Sequence, residues 1–486
     1  MRMWAGALLA AALAIGGSAA AKDTLTLGVT LEPPHLDPTA GAAAAIDEIV
    51  YANVFEGLTR IDESGTVRPQ LATGWTIAAD GRSYTFTLKP GVKFHDGVAL
   101  TAAEVKFSFD RARAPDSVNA QKGLFAAIER VEVVDPLTVR LTLSRPEGAL
   151  LFNLAWGDAA IVAPASAATN KTNPVGTGPF RFQRWVTGDR VELVRADARA
   201  RLSAATFKFI ADPAAQVAAL LAGDIDALPN AAAPEALKQL SADRRFEVAV
   251  GTTEGETILA INNARRPFDD LRVRQALSHA VDRQAIIDGA MFGYGTPIGT
   301  HFAPHHPAYV DLTGRYPYDP AKARALLRAA GLEQGFKATL KLPPPSYARR
   351  GGEIIAAQLK QIGVRIDIVP VEWAQWLEQV FRDSDFDLTI VSHTEPMDIE
   401  IYGRDKYYFN YRSEPVRAAL RALDLAPGEA ERFALYRQVE RLITEDAANV
   451  FLFQLAKTGV WRRGLVGLWR NSPVQANDLT GVYWTE

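Results

Sequence analysis

The 486-residue chain contains no cysteine. This excludes a disulfide framework, thiol catalysis and cysteine-ligated metal sites. An excess of either charge is lacking too. Lys and Arg number 53 against 56 Asp and Glu, for a net charge of −3, and the arginines are scattered among acidic residues. The chain therefore carries no electrostatic footprint for nucleic acid or for an anionic membrane surface. No G-x-S-x-G, H-E-x-x-H, phosphate loop or dinucleotide fingerprint occurs, which argues against a secreted enzyme. What is present is ordinary for a globular protein with a real core: 48% hydrophobic and 22% charged residues. The length suggests roughly three domain-sized units.

Residues 1–21 differ from everything after them. Arg2 supplies a positive start, Ala5 to Gly17 a short apolar run, and Ala19-Ala20-Ala21 a small-residue cleavage site. This is the pattern of a secretory signal peptide, too short for a spanning helix, with a mature N-terminus expected at or near Lys22.

The most ordered pattern runs from Leu71 to Arg111. Tyr84, Phe86 and Leu88 alternate with Ser83, Thr85 and Thr87, the period of a half-buried strand. Asp80-Gly81, Pro90-Gly91 and Asp96-Gly97 supply turns. Thr101 followed by Glu104 is a capping box opening a helix with Val105, Phe109 and Ala112 on one face. His95 reads as a solvated turn residue, since a lone histidine is rarely a metal site.

The residues LATGW, KFHDG and T-A-x-V-x-F-S-F-x-R in this stretch closely resemble the signature of the extracellular solute-binding proteins (family 5) of peptide/nickel ABC importers. So do VFEGL ending at Leu58, NPVGTGPF at Asn173–Phe180, and NNARRPFDDLRVRQALSHAVDR at Asn262–Arg283. Together these segments cover nearly the whole mature chain. The resemblance implies an α/β, two-lobed periplasmic binding protein (type II-like) with an additional strand-rich domain, cluster C-like. The implied organisation is residues 22–58, 173–263 and 465–486 in domain I, 59–172 in strand-rich domain II, and 264–464 in domain III. Crossing segments near Asn263 and Arg463 would form the hinge. The implied function is capture of a small solute, a short peptide by default, through hinge closure and delivery to an inner-membrane permease with its ATPase subunits. A non-peptide solute such as an amino-acid conjugate or metal chelate, or a sensing role, is compatible with the same lobes. Without a lipoprotein cysteine, the expected home is the periplasm, as a free monomer with no cofactor.

Local patterns fill in the rest. Ile46 to Leu58 reads as a helix, as do Glu147–Trp156, Tyr347–Ile362, Glu372–Phe381 and Glu429–Asp446. Strands are expected at 23–30, 131–134, 138–143, 339–342, 364–369, 386–391 and 449–453. Asp319-Pro320 opens a helix that stops at Gly331. Asp224 and Asp226, after the helix stop Gly223, read as solvated.

Ligands of open α/β sheets sit beyond the carboxyl ends of strands. The segment Ser392-His393-Thr394-Glu395-Pro396-Met397-Asp398 follows such a strand. It is similar to the family loop whose acidic residue meets the ligand's amino group, although Ile399 stands where a proline usually follows. Glu395 and Asp398 are thus the candidate anchors, with His393 beside them. Arg349, or its neighbour Arg350, is a candidate for a ligand carboxylate. Trp373, Tyr402 and the run Tyr407–Tyr411 are candidate cleft walls, with a core stripe expected for at least one of Trp373 and Trp376. Trp156 either lines a cleft or packs in the core, and Pro34 belongs to the LEPPHLDP loop implied to lie beside the cleft. His301, His305 and His306 sit between prolines with no acidic residue at ligand spacing, so no metal is expected there. The intact mass of the exported protein is expected to correspond to a chain starting near Lys22; a mass retaining residues 1–21 would overturn that reading.

Overall fold

The computed structural model describes residues 22–41, 43–395, 398–423, 426 and 429–485. The signal-peptide reading lies outside these residues. One sheet of 11 strands runs through the molecule. At one end, strands Phe336–Leu342, Val364–Pro370 and Leu388–His393 pair in parallel. At the other, Thr24–Val29 pairs in parallel with Ala204–Phe209 and Ala227–Leu228. Two long antiparallel strands, Phe246–Ile261 and Asn449–Arg462, join the two ends.

The ladder between these long strands is regular from Phe246↔Arg462 to Thr252↔Ala456. It then slips, and resumes at Glu256↔Gln454. The neighbours attach on opposite sides of this slip. Ala227 pairs with Trp461 on one side, while Glu256–Ile261 pair with His393–Leu388 on the other. Asn263 and Arg463, near which the crossing is expected, lie just outside this ladder. Those residues follow the far ends of the two strands, and the transition lies in the middle of the ladder, where an unpaired stretch locally bends a sheet. Buried Lys457 steadies the irregularity by donating to Trp469 O at 2.9 Å and Asn471 O at 3.3 Å. The chain after Leu465 returns to the end of the sheet that holds Thr24–Val29, where Asn477 Nδ2 donates to Glu48 O and Trp484 Nε1 to Thr24 O.

A separate four-stranded antiparallel sheet (Ala72–Ile77, Ser83–Leu88, Ile128–Asp135, Thr138–Leu143) packs its own core with the helix Ala102–Arg113. The sequence patterns here are realised locally. Gly81, Gly91 and Gly97 adopt positive φ, and Thr101 N donates to Glu104 Oε2 at 2.8 Å in the capping box. Two large apolar clusters cover the second half of the main sheet, one around Leu277, Ile355 and Leu388, the other around Phe386, Tyr408 and Phe451.

Several local expectations are corrected. The helix expected over Ile46–Leu58 ends at Val50. Beyond it, Asn53 O and Val54 O accept from Phe180 N and Gly178 N, so the backbone of this stretch serves the Asn173–Phe180 segment instead of a helix. The Glu147–Trp156 helix shrinks to Leu150–Asn153. His95 is not solvated: its Nδ1 accepts from Gly176 N at 3.3 Å and its Nε2 faces Gly178 O at 2.9 Å. Asp226 is buried, contacting Lys22 and accepting from Thr26 N at 3.0 Å. Each correction has one cause: partners distant in sequence outcompete the local pattern.

Gly176 packs so closely that a Cβ would lie 1.9 Å from Val54 O. Gly176→Ala is expected to cost about 1–3 kcal/mol of stability, the usual range for overpacking. Gly74→Ala, with nothing within 4 Å of its Cβ position, should be near neutral. Paired denaturant titrations check the contrast.

Candidate functional site

The strand Leu388–His393 ends beside the slip in the long ladder, and register does the rest. Glu256 lies opposite His393 on one neighbour and Gln454 on the other. Its carboxylate contacts His301 Nδ1, and His301 Nε2 lies 2.9 Å from Asp398 Oδ1. Asp398 Oδ2 is in turn 3.7 Å from His393 Nδ1, while His393 Nε2 sits 2.9 Å from the Tyr408 hydroxyl. His301 is 3% exposed and Glu256 2%. Tyr402 presents its ring edge-on to His301, with centroids 5.5 Å apart.

This is a desolvated charge cluster, and its members titrate accordingly. Burial alone would lower the His301 pKa, but the carboxylates of Glu256 and Asp398 outweigh burial and raise it to about 10. Burial would raise Asp398; the His301 charge reverses that and holds its carboxyl below the usual range. Burial dominates at Glu256, which is pushed up despite His301. The charged pair at neutral pH is accordingly His301–Asp398, and Glu256 is the carboxyl that gains a proton first as pH falls. Burial keeps His393 low, hence neutral.

Glu395 differs from Asp398. It is exposed, and its only hydrogen bond among the described residues is from Thr394 N at 3.2 Å. A carboxylate with no cationic partner among the described residues thus borders a buried cluster in which the His301 imidazolium is already committed to Asp398. Such an arrangement is suited to receiving a cation. One oxygen or nitrogen from each of His393, Glu395 and Asp398 lies within 4.8 Å of the others, a spacing that suits an ammonium group and a metal ion alike.

The sequence candidates divide into groups. Glu395, Asp398, His393 and Tyr402 come together, although Tyr402 is 1% exposed and lies behind His301 rather than on a surface. Tyr408, Phe409 and Tyr411 are likewise interior, leaving Tyr407 as the aromatic of that run that is only partly buried, 6.2 Å from the His393 ring. Arg349 lies near the same strand ends, but its Nη2 pairs with Glu372 at 3.0 Å. Trp376 is core, donating to Thr389 Oγ1 at 2.9 Å, and Trp373 packs edge-on against it while 40% exposed. Trp156 and Pro34 belong to the opposite side of the molecule. Trp156 packs against Phe152 with its Nε1 buried and unpartnered, and Pro34 is exposed in its loop.

Sequence reasoning missed Glu256, and set His301 aside because no acidic residue stands near it along the chain, whereas the fold brings Glu256 and Asp398 to it. The signals were a carboxylate opening an otherwise apolar strand and a histidine-rich loop, which taken singly look unrelated. His305 has an acidic partner too, Glu254 at 2.6 Å, and His306 stacks on Phe302 with centroids 4.0 Å apart.

Comparison with known proteins decides the family. The model for bacterial extracellular solute-binding proteins, family 5 (middle), matches residues 66–409. The chain is a family 5 solute-binding protein. The glutathione-binding protein GsiB of Salmonella typhimurium (strain LT2) is 34% identical over 389 residues, covering 78% of this chain and 75% of the relative. Among solved structures, the periplasmic binding protein AgaA in complex with agropinic acid, from A.tumefacien R10, superimposes with a TM-score of 0.80 at 25% identity, covering 95% of this chain and 99% of that one. NikZ of Campylobacter jejuni in complex with Ni(L-His) gives 0.79 at 26% identity, covering 92% and 96%. The two-lobed architecture of this binding protein is thus that of its family, and among the described residues no helix is long and apolar enough to cross a membrane.

The buried cluster makes stability pH-dependent. A raised folded-state pKa on His301 adds stability that is complete below the ordinary imidazole value of 6.5 and is lost as pH rises through about 10. His301→Gln leaves buried carboxylates unpaired and is expected to cost about 3–5 kcal/mol at neutral pH. The gap between wild type and variant should narrow from pH 7 to 10 in denaturant titrations; a constant gap would refute the charged pair.

Proposed function

We propose that this binding protein captures a short peptide, or a compact amino-acid-derived solute, through its protonated amino group at the Glu395–Asp398 loop. The observation that carries the reading is the unpaired Glu395 carboxylate beside the buried Glu256–His301–Asp398 cluster. A cationic group bound there replaces water with fixed charges in a medium of low dielectric, where a charge-assisted hydrogen bond is strong. The glutathione-binding relatives support a peptide with a free amino end; the AgaA complex supports a non-peptide solute as the second reading.

Binding works by closure of two lobes about the slip in the long ladder. The sheet halves on either side keep their own cores, so bending is concentrated at Thr252–Glu256, where the register breaks. Contact between the lobes exists on the insertion side, where Arg432 of the helix Glu429–Glu445 rests against Gly148. Closure is favoured because a ligand touching both lobes binds the closed state better than the open one. The protein acts in the periplasm as a monomer, after removal of residues 1–21. It hands its solute to an inner-membrane permease with ATPase subunits and catalyses no reaction.

Calorimetric titration of the mature protein with dipeptides, glutathione and their N-acetylated forms tests the anchor. Binding by the free-amino forms only is expected. Glu395→Gln should weaken it about tenfold or more, equivalent to roughly 1.4 kcal/mol. Unchanged affinity in both Glu395→Gln and Asp398→Asn would sink the assignment.

A further inference from the structure

A second concave site lies where the strand-rich insertion meets the first lobe. It is a cavity of about 830 Å³ between the turn Lys89–His95 and the segments around Thr177–Gly178, Arg181 and Arg195–Arg199. None of the Glu395–Asp398 cluster lines it. Its charge is unlike that of the chain as a whole, which is −3. Lys89, Lys93, Arg181, Arg195 and Arg199 face a single lining carboxylate, Asp197.

Only one of these cations is neutralised. Arg199 pairs with Asp197 at 2.7 Å and with buried Glu56 at 2.8 Å, and donates to Thr177 O at 2.7 Å. Among the described residues, Lys93, Arg181 and Arg195 have no acidic partner, and Lys89 acts on buried Glu56 through space without a direct ion pair. Arg195 donates only to the backbone carbonyls of Leu202 and Arg201. The contrast within one hairpin is sharp: Arg184 and Arg190 both pair with Glu192, whereas Arg181 and Arg195, on the same two strands, face the cavity unpaired.

The wall is rigid where it matters. The His95 ring is fixed between Gly176 N and Gly178 O, and a Cβ on Gly178 would lie 2.2 Å from Asn53 O. At Gly91, on the mouth, there is open space within 4 Å of the Cβ position. Converging like charges repel one another, and a bound anion relieves that repulsion. Guanidinium forks grip phosphate and carboxylate bidentately.

We propose that this cavity is a second ligand site, for a small oligoanion bearing two or more phosphate groups. The charge match argues for phosphate: two phosphate monoester groups carry roughly −3 to −4 at neutral pH, close to the excess positive charge of the lining. The same groups occur in a soluble solute and in a lipid headgroup, so both sources are tested. The site lies away from the slip in the long ladder, so its occupancy pins the insertion to the first lobe without requiring closure.

The test uses the full mature protein. Pyrophosphate, citrate and sodium chloride at matched ionic strength are titrated by calorimetry and thermal shift, and co-sedimentation is measured with cardiolipin vesicles, whose headgroup carries two phosphates. Saturable pyrophosphate binding is expected. The pair Arg181→Gln plus Lys93→Gln should weaken it at least about tenfold while the melting temperature without ligand stays unchanged. Vesicle binding lost in the same variant, with no pyrophosphate binding, would keep the site and assign it to a headgroup. Stronger binding of citrate than of pyrophosphate would overturn the phosphate assignment. No saturable binding of any probe above chloride, or binding indifferent to the substitutions, would overturn the site.

Discussion

The pairing of Phe246–Ile261 with Asn449–Arg462 is the constraint on which the other features depend. It joins two sheet halves that otherwise share no strand, and it brings together stretches about two hundred residues apart. Because each half has its own buried cluster, the ladder is the element through which motion of one half reaches the other. A regular ladder of this length would resist bending; its register breaks between Thr252 and Glu256. Lys457 and the chain after Leu465 hold that point from one side. The loop carrying His301 and His305 holds it from the other, through Glu256 and Glu254.

The Glu395–Asp398 loop is tied to the same place. Asp398 reaches Glu256 through one imidazole, so the acidic residue that follows the strand is connected electrostatically to the residue that ends the register break. This explains why two carboxylates and a histidine can be buried together. Each alone would be costly in a medium of low dielectric, but a shared imidazolium offsets much of the cost. The aromatic residues Tyr402, Tyr408 and Phe409 keep water out and so maintain the charge interactions at strength. They pack behind the cluster, away from the surface.

What was legible in the chain was local. Turns at Gly81, Gly91 and Gly97 follow from the freedom of glycine at positive φ. The Thr101–Glu104 box follows from side chains within reach of a helix start. The α/β alternation after residue 319 follows from periodicity, and the loop Glu395–Asp398 from its place after a strand and its family likeness. What failed was also systematic. His95, Asp226 and the stretch after Val50 were read from neighbours in sequence, but each is bonded to partners in other segments.

The sequence by itself determined the family, the turns, the capping box and the acidic loop, because these depend on spacing within a few residues. Only the tertiary structure decided which carboxylate is free and which is committed. Asp398 and Glu395 are three positions apart and chemically alike, yet among the described residues one is paired with His301 and the other with no cation. That difference arises from strand register and burial, which set the distance and the dielectric between groups far apart in the chain. Coulomb interactions depend on exactly these two quantities and on neither of the residues' neighbours in sequence.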